Sequence, residues 1–388
     1  MKTKFGLVFV VSLVFVFLNL QFGFAQSYSA IDMGTLGGAT SHTHNINSKG
    51  DVVGFSMTGN GNETHAFLYS YDAKAESGQM TDLGKLSGSI NSYAYGINDN
   101  KEVVGACFVG TGIEHAFLYS EGAMVNLNTI LGGTSSRAIA INNKGQVLGS
   151  CDSDGFLYEK GIITDLGDSA GHQVFDINNN GQIVGRYWFD VLEEDDPDNE
   201  DHTLYGHATV YENGVLTDIG TLGENYLHSI AYSINDNGQI VGASWTDDLP
   251  GVGVITHAFL YSEGTMTDLG VLGGDPTNPN GYYSYAMDIN DNGLIVGYSS
   301  TNYGISHGFV WDSVNGMRDL NDITGKSADW VIDSAEAINN SGQIADAMGL
   351  DGTAHGFFLD VVPEPSSFAL LFTAIAAISV YALRRYRM

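Results

Sequence analysis

An all-β, seven-bladed β-propeller of four-stranded blades is the fold class that this 388-residue sequence predicts. Three observations predict it. An Ile-Asn pair followed by a turn recurs seven times, at positions 46, 97, 141, 177, 234, 289 and 338. Each recurrence carries the same four strand-like pieces in the same order. The two ends of the repeat region are complementary fragments of one blade.

The chain opens with Lys2 and Lys4, a long apolar run and "GFA" before Gln26. That is the charged n-region, apolar h-region and small-residue cleavage site of a secretory signal over residues 1–25. An N-terminal anchor that is never cleaved is the alternative. The repeat region, residues 26–361, begins with "AIDMGTLGG" at 30–38, which has the wording of a fourth strand that no first repeat precedes. Seven copies then follow at separations of 36 to 57 residues, the spacing of propeller blades. In each copy a first segment such as "SYAYGIN" enters an Asn/Asp/Gly turn, whose residues accept positive φ and close a hairpin. A second, such as "QIVGAS", has the β-branched residues of a half-buried pleat. The third is "HAFLY" or a variant, and a tight turn leads to the fourth, "MTDLG". The seventh copy stops at "HGFFLD", 355–360, without a fourth strand. In a closed ring the orphan N-terminal strand completes that last blade and removes an open sheet edge. A linear solenoid, the competing architecture, has no use for complementary ends. Helical periodicity is hard to find outside the terminal segments.

The chain ends in Pro363-Glu364-Pro365, sixteen uncharged residues from Phe368 to Leu383, and Arg384, Arg385 and Arg387. Sixteen residues are slightly fewer than the ~20 that comfortably span a bilayer. Cationic flanks stay on the cytoplasmic side, which favours a transmembrane helix over 368–383 above a buried core helix. These three parts, in this order, resemble the PEP-CTERM sorting signal, here residues 362–388. The resemblance implies a Gram-negative bacterium, an exported protein, and the secretion machinery and an exosortase as partners that process the tail. The repeat wording, "HAF" with "INDxG", "VVG", "MxDLG" and "LGG", resembles the HAF-repeat extracellular proteins over almost everything between the two ends. That resemblance implies an exported repeat protein and brings no established chemistry.

Histidine opens the third strand in six copies, at His65, His115, His207, His257, His307 and His355, and Asp154 replaces it in the third copy. Aligning strands three and four through the "SEGT" turn puts Phe259 opposite Asp268 and His257 diagonal to it, within reach on the same face. The same register pairs His65 with Asp82, His207 with Asp218, His307 with Asp319 and His355 with Asp32, and gives His115 Asn126. An imidazole bonded to a carboxylate satisfies a polar group between packed blades. A set of metal ligands is the other reading, but third strands lie out in the blades and cannot converge on one ion.

Net charge is −30, and five of the fifteen basic residues lie in the two terminal segments. Such a surface repels nucleic acid and anionic membranes. Cys107 and Cys151 each lie two residues after a repeat glycine. Equivalent strands of neighbouring blades lie too far apart for the ~7 Å Cα separation that a disulfide needs, so two free thiols are expected. The longest loop runs through "RYWFDVLEEDDPDNEDHTLYG", 186–206, whose Asp195, Asp196 and Asp198 are candidates for Ca²⁺, an ion that takes six to eight oxygens. Asp152 and Asp154 faintly follow a calcium-loop pattern without its last acidic ligand. A solvated acidic loop is the simpler reading, and no other cofactor is implied. No nucleophile elbow, HExxH, phosphate loop or dinucleotide fingerprint occurs, and acids this numerous make carboxylate pairs uninformative. The reading is therefore a non-enzymatic, monomeric surface or biofilm-matrix module that meets extracellular polysaccharide. A secreted propeller enzyme acting on polysaccharide is the alternative.

Overall fold

The computed structural model describes residues 27–362, apart from 60–62, 73–76, 153, 168–171, 192–202, 224–227, 247–254, 274–281, 303, 326–329 and 351–352. Seven sheets, six of them wholly antiparallel, follow one another along the chain. Blades 1 to 7 start with the strands Gly37–Ile46, Asn91–Ile97, Ser136–Ile141, His172–Ile177, Ser229–Ile234, Ser284–Ile289 and Ala337–Ile338. Blade 5 is representative, with Ser229–Ile234, Ile240–Trp245, Thr256–Ser262 and Thr265–Asp268 side by side in sequence order. Phe259 lies opposite Asp268 and Tyr261 opposite Met266, the register expected from the tight turn.

One apolar cluster fills each interface between blades. Between blades 5 and 6, Val241, Ala258 and Leu269 meet Ala286, Ile289, Ile295 and Phe309. Between blades 4 and 5, Val184, Ala208 and Ile219 meet Ala231, Ile234, Ile240 and Phe259. Successive residues of a strand point to opposite faces, so in "HAF" the alanine packs on the following blade and the phenylalanine on the preceding one. The small residue lets the sheets approach, and the large one is fully buried, worth roughly 1.5–3 kcal/mol per copy. The repeated phrase is a two-sided packing code.

The ring closes as the complementary ends require. Tyr28–Asp32 runs antiparallel to Thr353–Val361, pairing Tyr28 with Val361 and Asp32 with Phe357. A strand that the sequence did not announce, Thr324–Gly325, then pairs parallel with Tyr28 and Ser29. The closing sheet therefore has five strands, and the start of the N-terminal strand is paired on both sides. Residues 37 and 38, the "GG" of the orphan phrase, already belong to blade 1.

Blade 7 departs from the expected pattern at its inner strand, which is reduced to Ala337–Ile338. The reason is one side chain. In the other six blades the third residue of the "VVG"-type strand is glycine, and the first strand carries a bulge beside it. A Cβ at Gly105 or Gly242 would run into the carbonyl oxygen of Tyr93 or Ile230. Blade 7 has Asp346 at that position, and its carboxylate takes a bond from Ser334 Oγ at 3.1 Å, so the first strand cannot close up in the same way.

Two crossovers contain single helical turns absent from the sequence reading, Asn128–Leu131 and Leu320–Ile323. They occur where Asn128 and Asn321 replace the glycine of "DLG". Cys107 and Cys151 are free thiols. Among the described residues no helix is long and apolar enough to cross a membrane. Residues 1–25, the Pro363-Glu364-Pro365 motif and 368–383 lie outside the described residues.

Candidate functional site

The Asn of every Ile-Asn pair points to the axis of the ring. Each Nδ2 donates to the carbonyl oxygen of the corresponding Asn in the next blade: Asn47 to Asn98, then Asn142, Asn178, Asn235, Asn290 and Asn339 in turn. Asn339 returns to Asn47 at 3.0 Å and closes the circle. Each Oδ1 accepts the N–H groups two and four residues on, as at Asn235 with Asn237 and Gln239. The seven side chains are only 2–5 % exposed, and in six of them the second Nδ2 proton goes to the side chain four residues on, the exception being Asn290, which has Leu294 there. Sequence reading assigned this Asn to the hairpin turn alone. A second inter-blade link was also missed. Ser284 Oγ accepts from Ala258 N at 2.8 Å and donates to Gly270 O at 2.6 Å, stitching blade 6 to blade 5. Ser41, Ser92 and Ser229 do the same at their interfaces.

The Asn circle surrounds an axial cavity of about 260 Å³ that is also lined by Asp176, Ser233 and Asp288. Ser233 Oγ lies 2.7 Å from Asp288 Oδ1 and 3.0 Å from Asp176 Oδ2. A hydroxyl has one proton to give, so with both contacts made, one of the carboxyls is itself the donor. Burial raises both carboxyls. Asp288 is pushed up to about 7, against the pull of the Ile338 N–H and Ser233, with the Asp176 charge adding to the rise. The folded value thus lies above the unfolded one. Its contribution to stability is full below about pH 4 and is lost as pH rises through about 7. Thermal melts of the purified protein should show higher stability at pH 5 than at pH 8, by something on the order of 2–4 kcal/mol. Asp288→Asn should remove most of that slope. An unchanged slope in the variant would place the titration elsewhere.

A second set of side chains, from positions that do not repeat, forms a belt around the ring. His44 lies 5.2 Å from Tyr95, and the Arg137 guanidinium 5.3 Å from the same tyrosine ring. A pocket of about 470 Å³ between blades 3 and 4 joins Arg137 and Ile139 to Gln173 and Phe175. Phe175 meets Tyr232 edge-on at 5.7 Å, and the Tyr285 and Tyr298 rings stack at 5.0 Å. Tyr298 feels the Glu336 charge, and His42 that of Asp333, which completes the circuit through blade 7. Burial, then the charges of His42 and Arg137, lowers His44 to about 4, so it is neutral at pH 7. Burial raises Tyr95 to about 12. Glu114 holds Arg137 by two bonds, at 2.7 and 2.6 Å. The belt thus offers aromatic faces beside hydrogen-bonding groups, with the Arg137 charge answered by Glu114, a combination suited to sugar rings.

The histidines stand where the register places them. His65, His207, His257, His307 and His355 reach Asp82, Asp218, Asp268, Asp319 and Asp32 through Nδ1 at 2.6–3.1 Å. His115 reaches Asn126 at 3.3 Å. Each of those carboxylates also caps the crossover turn, as Asp268 does by accepting Gly270 N at 2.7 Å. The histidine therefore steadies the turn that carries the chain to the next blade. Blade 3 has Asp154, exposed, in the histidine's place. His257→Ala should cost about 1–3 kcal/mol, the scale of stranding a buried partner, and Asp268→Asn less, because its carbonyl still accepts Gly270 N. The double variant should fall short of the sum. Calorimetry checks this, and loss of a stoichiometric metal with stability intact would support the ligand reading instead.

Asp152 accepts the Thr134 and Ser135 N–H groups at 3.0 Å. Asp195, Asp196 and Asp198 lie outside the described residues. Among the described residues, no three or more His, Cys, Asp or Glu side chains gather in a way that could hold a metal ion.

A family described as "Protein of unknown function (DUF3466)" matches residues 168–350, somewhat under half of the chain. No curated protein matches. Among solved structures, the chain is similar to the β-propeller domain of the Trilobed protease from Pyrococcus furiosus, at 9 % identity and a TM-score of 0.49, over 83 % of this chain and 93 % of that one. It is also similar to the Trypanosoma rangeli sialidase in complex with the inhibitor DANA, at 9 % identity and a TM-score of 0.39, over 92 % and 57 %. A third likeness is to the Pyrococcus horikoshii acylaminoacyl peptidase, at 11 % identity and a TM-score of 0.36, over 84 % and 46 %. The chain spans about half the length of the sialidase and the peptidase.

Proposed function

We propose that the protein is an exported, non-enzymatic binding module of the cell surface or extracellular matrix, acting as a monomer, and that its belt holds polysaccharide. The observation that carries this reading is the belt itself. The repeated residues are consumed by packing and ring closure, whereas His44, Tyr95, Phe175 and Tyr232 are individual choices at equivalent positions, and Tyr285 joins them from two residues earlier in its own strand. The signal-like N-terminus and the PEP-CTERM-like tail support export, with the C-terminal helix holding the chain in the inner membrane until exosortase processing. Calcium is not required by this reading. Purified protein tested by affinity electrophoresis against a panel of extracellular polysaccharides should be retarded by at least one, with no release of reducing ends or unsaturated products. Such release would support the alternative, a polysaccharide-acting enzyme. The Asp176–Ser233–Asp288 cluster favours that alternative, since a raised carboxyl beside a second carboxyl is an acid–base arrangement.

A further inference from the structure

Arg186 stands out in a chain of net charge −30. It follows Gly185 in the second strand of blade 4, and its guanidinium carbon lies over the Trp188 ring, 4.1 Å from the ring centre. Nη2 donates to Gln173 Oε1 at 2.6 Å, and Nε is buried without a hydrogen-bond partner. Among the described residues no carboxylate pairs with it, in contrast to Arg137 with Glu114 and Arg318 with Asp312. Its titratable neighbours are Tyr232, which favours the charge, and His228. Burial, then the Arg186 and His207 charges, lowers His228. Gly206 N donates to His228 Nδ1 at 3.3 Å, which assigns the ring proton to Nε2 and makes that atom a donor. Trp188, Tyr205 and Trp245 surround His228, the last at 4.0 Å between ring centres.

We propose that Arg186, together with the Nε2–H of His228, binds the carboxylate of an acidic sugar, with the neighbouring aromatic rings taking its pyranose face. Guanidinium geometry matches a carboxylate, and aromatic surface beside it matches the apolar side of a sugar ring. The protein's overall charge disfavours dense polyanions. The fitting partner is therefore a glycan with isolated uronic-acid residues, whose charge is screened beyond about 8 Å at physiological salt. This site rests on the polysaccharide reading and names the class of sugar that the belt receives at blades 4 and 5.

Glucuronate and glucose are the probes, titrated into the full-length protein and followed by tryptophan fluorescence, since Trp188 and Trp245 flank the site. Glucuronate should perturb the signal saturably and glucose should not. Arg186→Gln should weaken glucuronate binding by roughly ten- to a hundredfold with an unchanged melting temperature, and Arg186→Lys should fall between. Equal responses to the two sugars, or an Arg186→Gln variant that binds like the parent, would overturn the site. So would glucuronate binding that begins only when Glu193, Glu194, Asp195, Asp196, Asp198, Glu200 and Asp201 are replaced by amides, because Arg186 would then serve the chain's own acids. If glucuronate binds through Arg186 while no polymer is retained, the site stands and the polysaccharide reading falls. If polymers are retained but glucuronate does not bind, the reverse holds.

Discussion

Tyr28→Ala is expected to cost about 3–5 kcal/mol, the range for truncating a large buried ring, and to loosen the last blade rather than the first. Tyr28 is 1 % exposed. It packs with Ile344, Phe357 and Leu359 of blade 7 and with Val310 and Leu320 of blade 6. The strand it anchors supplies the closing sheet's fourth member and the Asp32 that holds His355. Hydrogen exchange should therefore rise across 344–361, which is more than 300 residues away in sequence. Tyr28→Phe is the informative control. The hydroxyl is buried without a hydrogen-bond partner, so its removal should be neutral or stabilising. Exchange that rose only in Gly37–Thr58 would mean that the N-terminal strand does not close the ring.

Asn339→Ala should be nearly as damaging, at about 2–5 kcal/mol, because one side chain serves four groups. Its Nδ2 donates to Asn47 O and Gln343 Oε1, and its Oδ1 accepts from Ser341 N and Gln343 N. All are buried or partly so, and a polar group stranded there costs about 1–3 kcal/mol. Asn339→Asp keeps the turn bonds but cannot donate to Asn47. It should lie close to the alanine variant if the circle matters, and close to the parent if only the turn does. Denaturant titration of the three proteins makes the comparison.

What was legible in the sequence was what repeats within one blade. The His257–Asp268 diagonal follows from the length of a tight turn and a period of two. The closing strand follows from the missing piece after "HGFFLD". The Asn circle and the serine links were written just as plainly, but their partners lie in the next blade, 36 to 57 residues on, and nothing in one repeat says that its turn faces another. Asp346 was visible as a break in the "VVG" pattern, yet its effect on the inner strand depends on a close approach that only the folded sheet shows. The belt was the least legible. His44, Tyr95, Phe175 and Glu336 occupy equivalent positions and no residue type recurs among them, so a search for repetition passes over them. Arg186 was hidden for the same reason, in a second strand whose copies in blades 1, 2 and 6 read "VVG" or "IVG" followed by Phe55, Ala106 or Tyr298.

The central claim is that repeated residues build the ring and non-repeated ones do its work. Affinity electrophoresis of Tyr285→Ala, from the belt, beside His257→Ala, from the repeat, in a gel containing the retained polysaccharide, tests it most directly. Expected is a Tyr285→Ala protein that migrates as if the polymer were absent and a His257→Ala protein that is still retarded at a temperature where it remains folded. Retardation of Tyr285→Ala equal to the parent, with His257→Ala running free while folded, would contradict the claim.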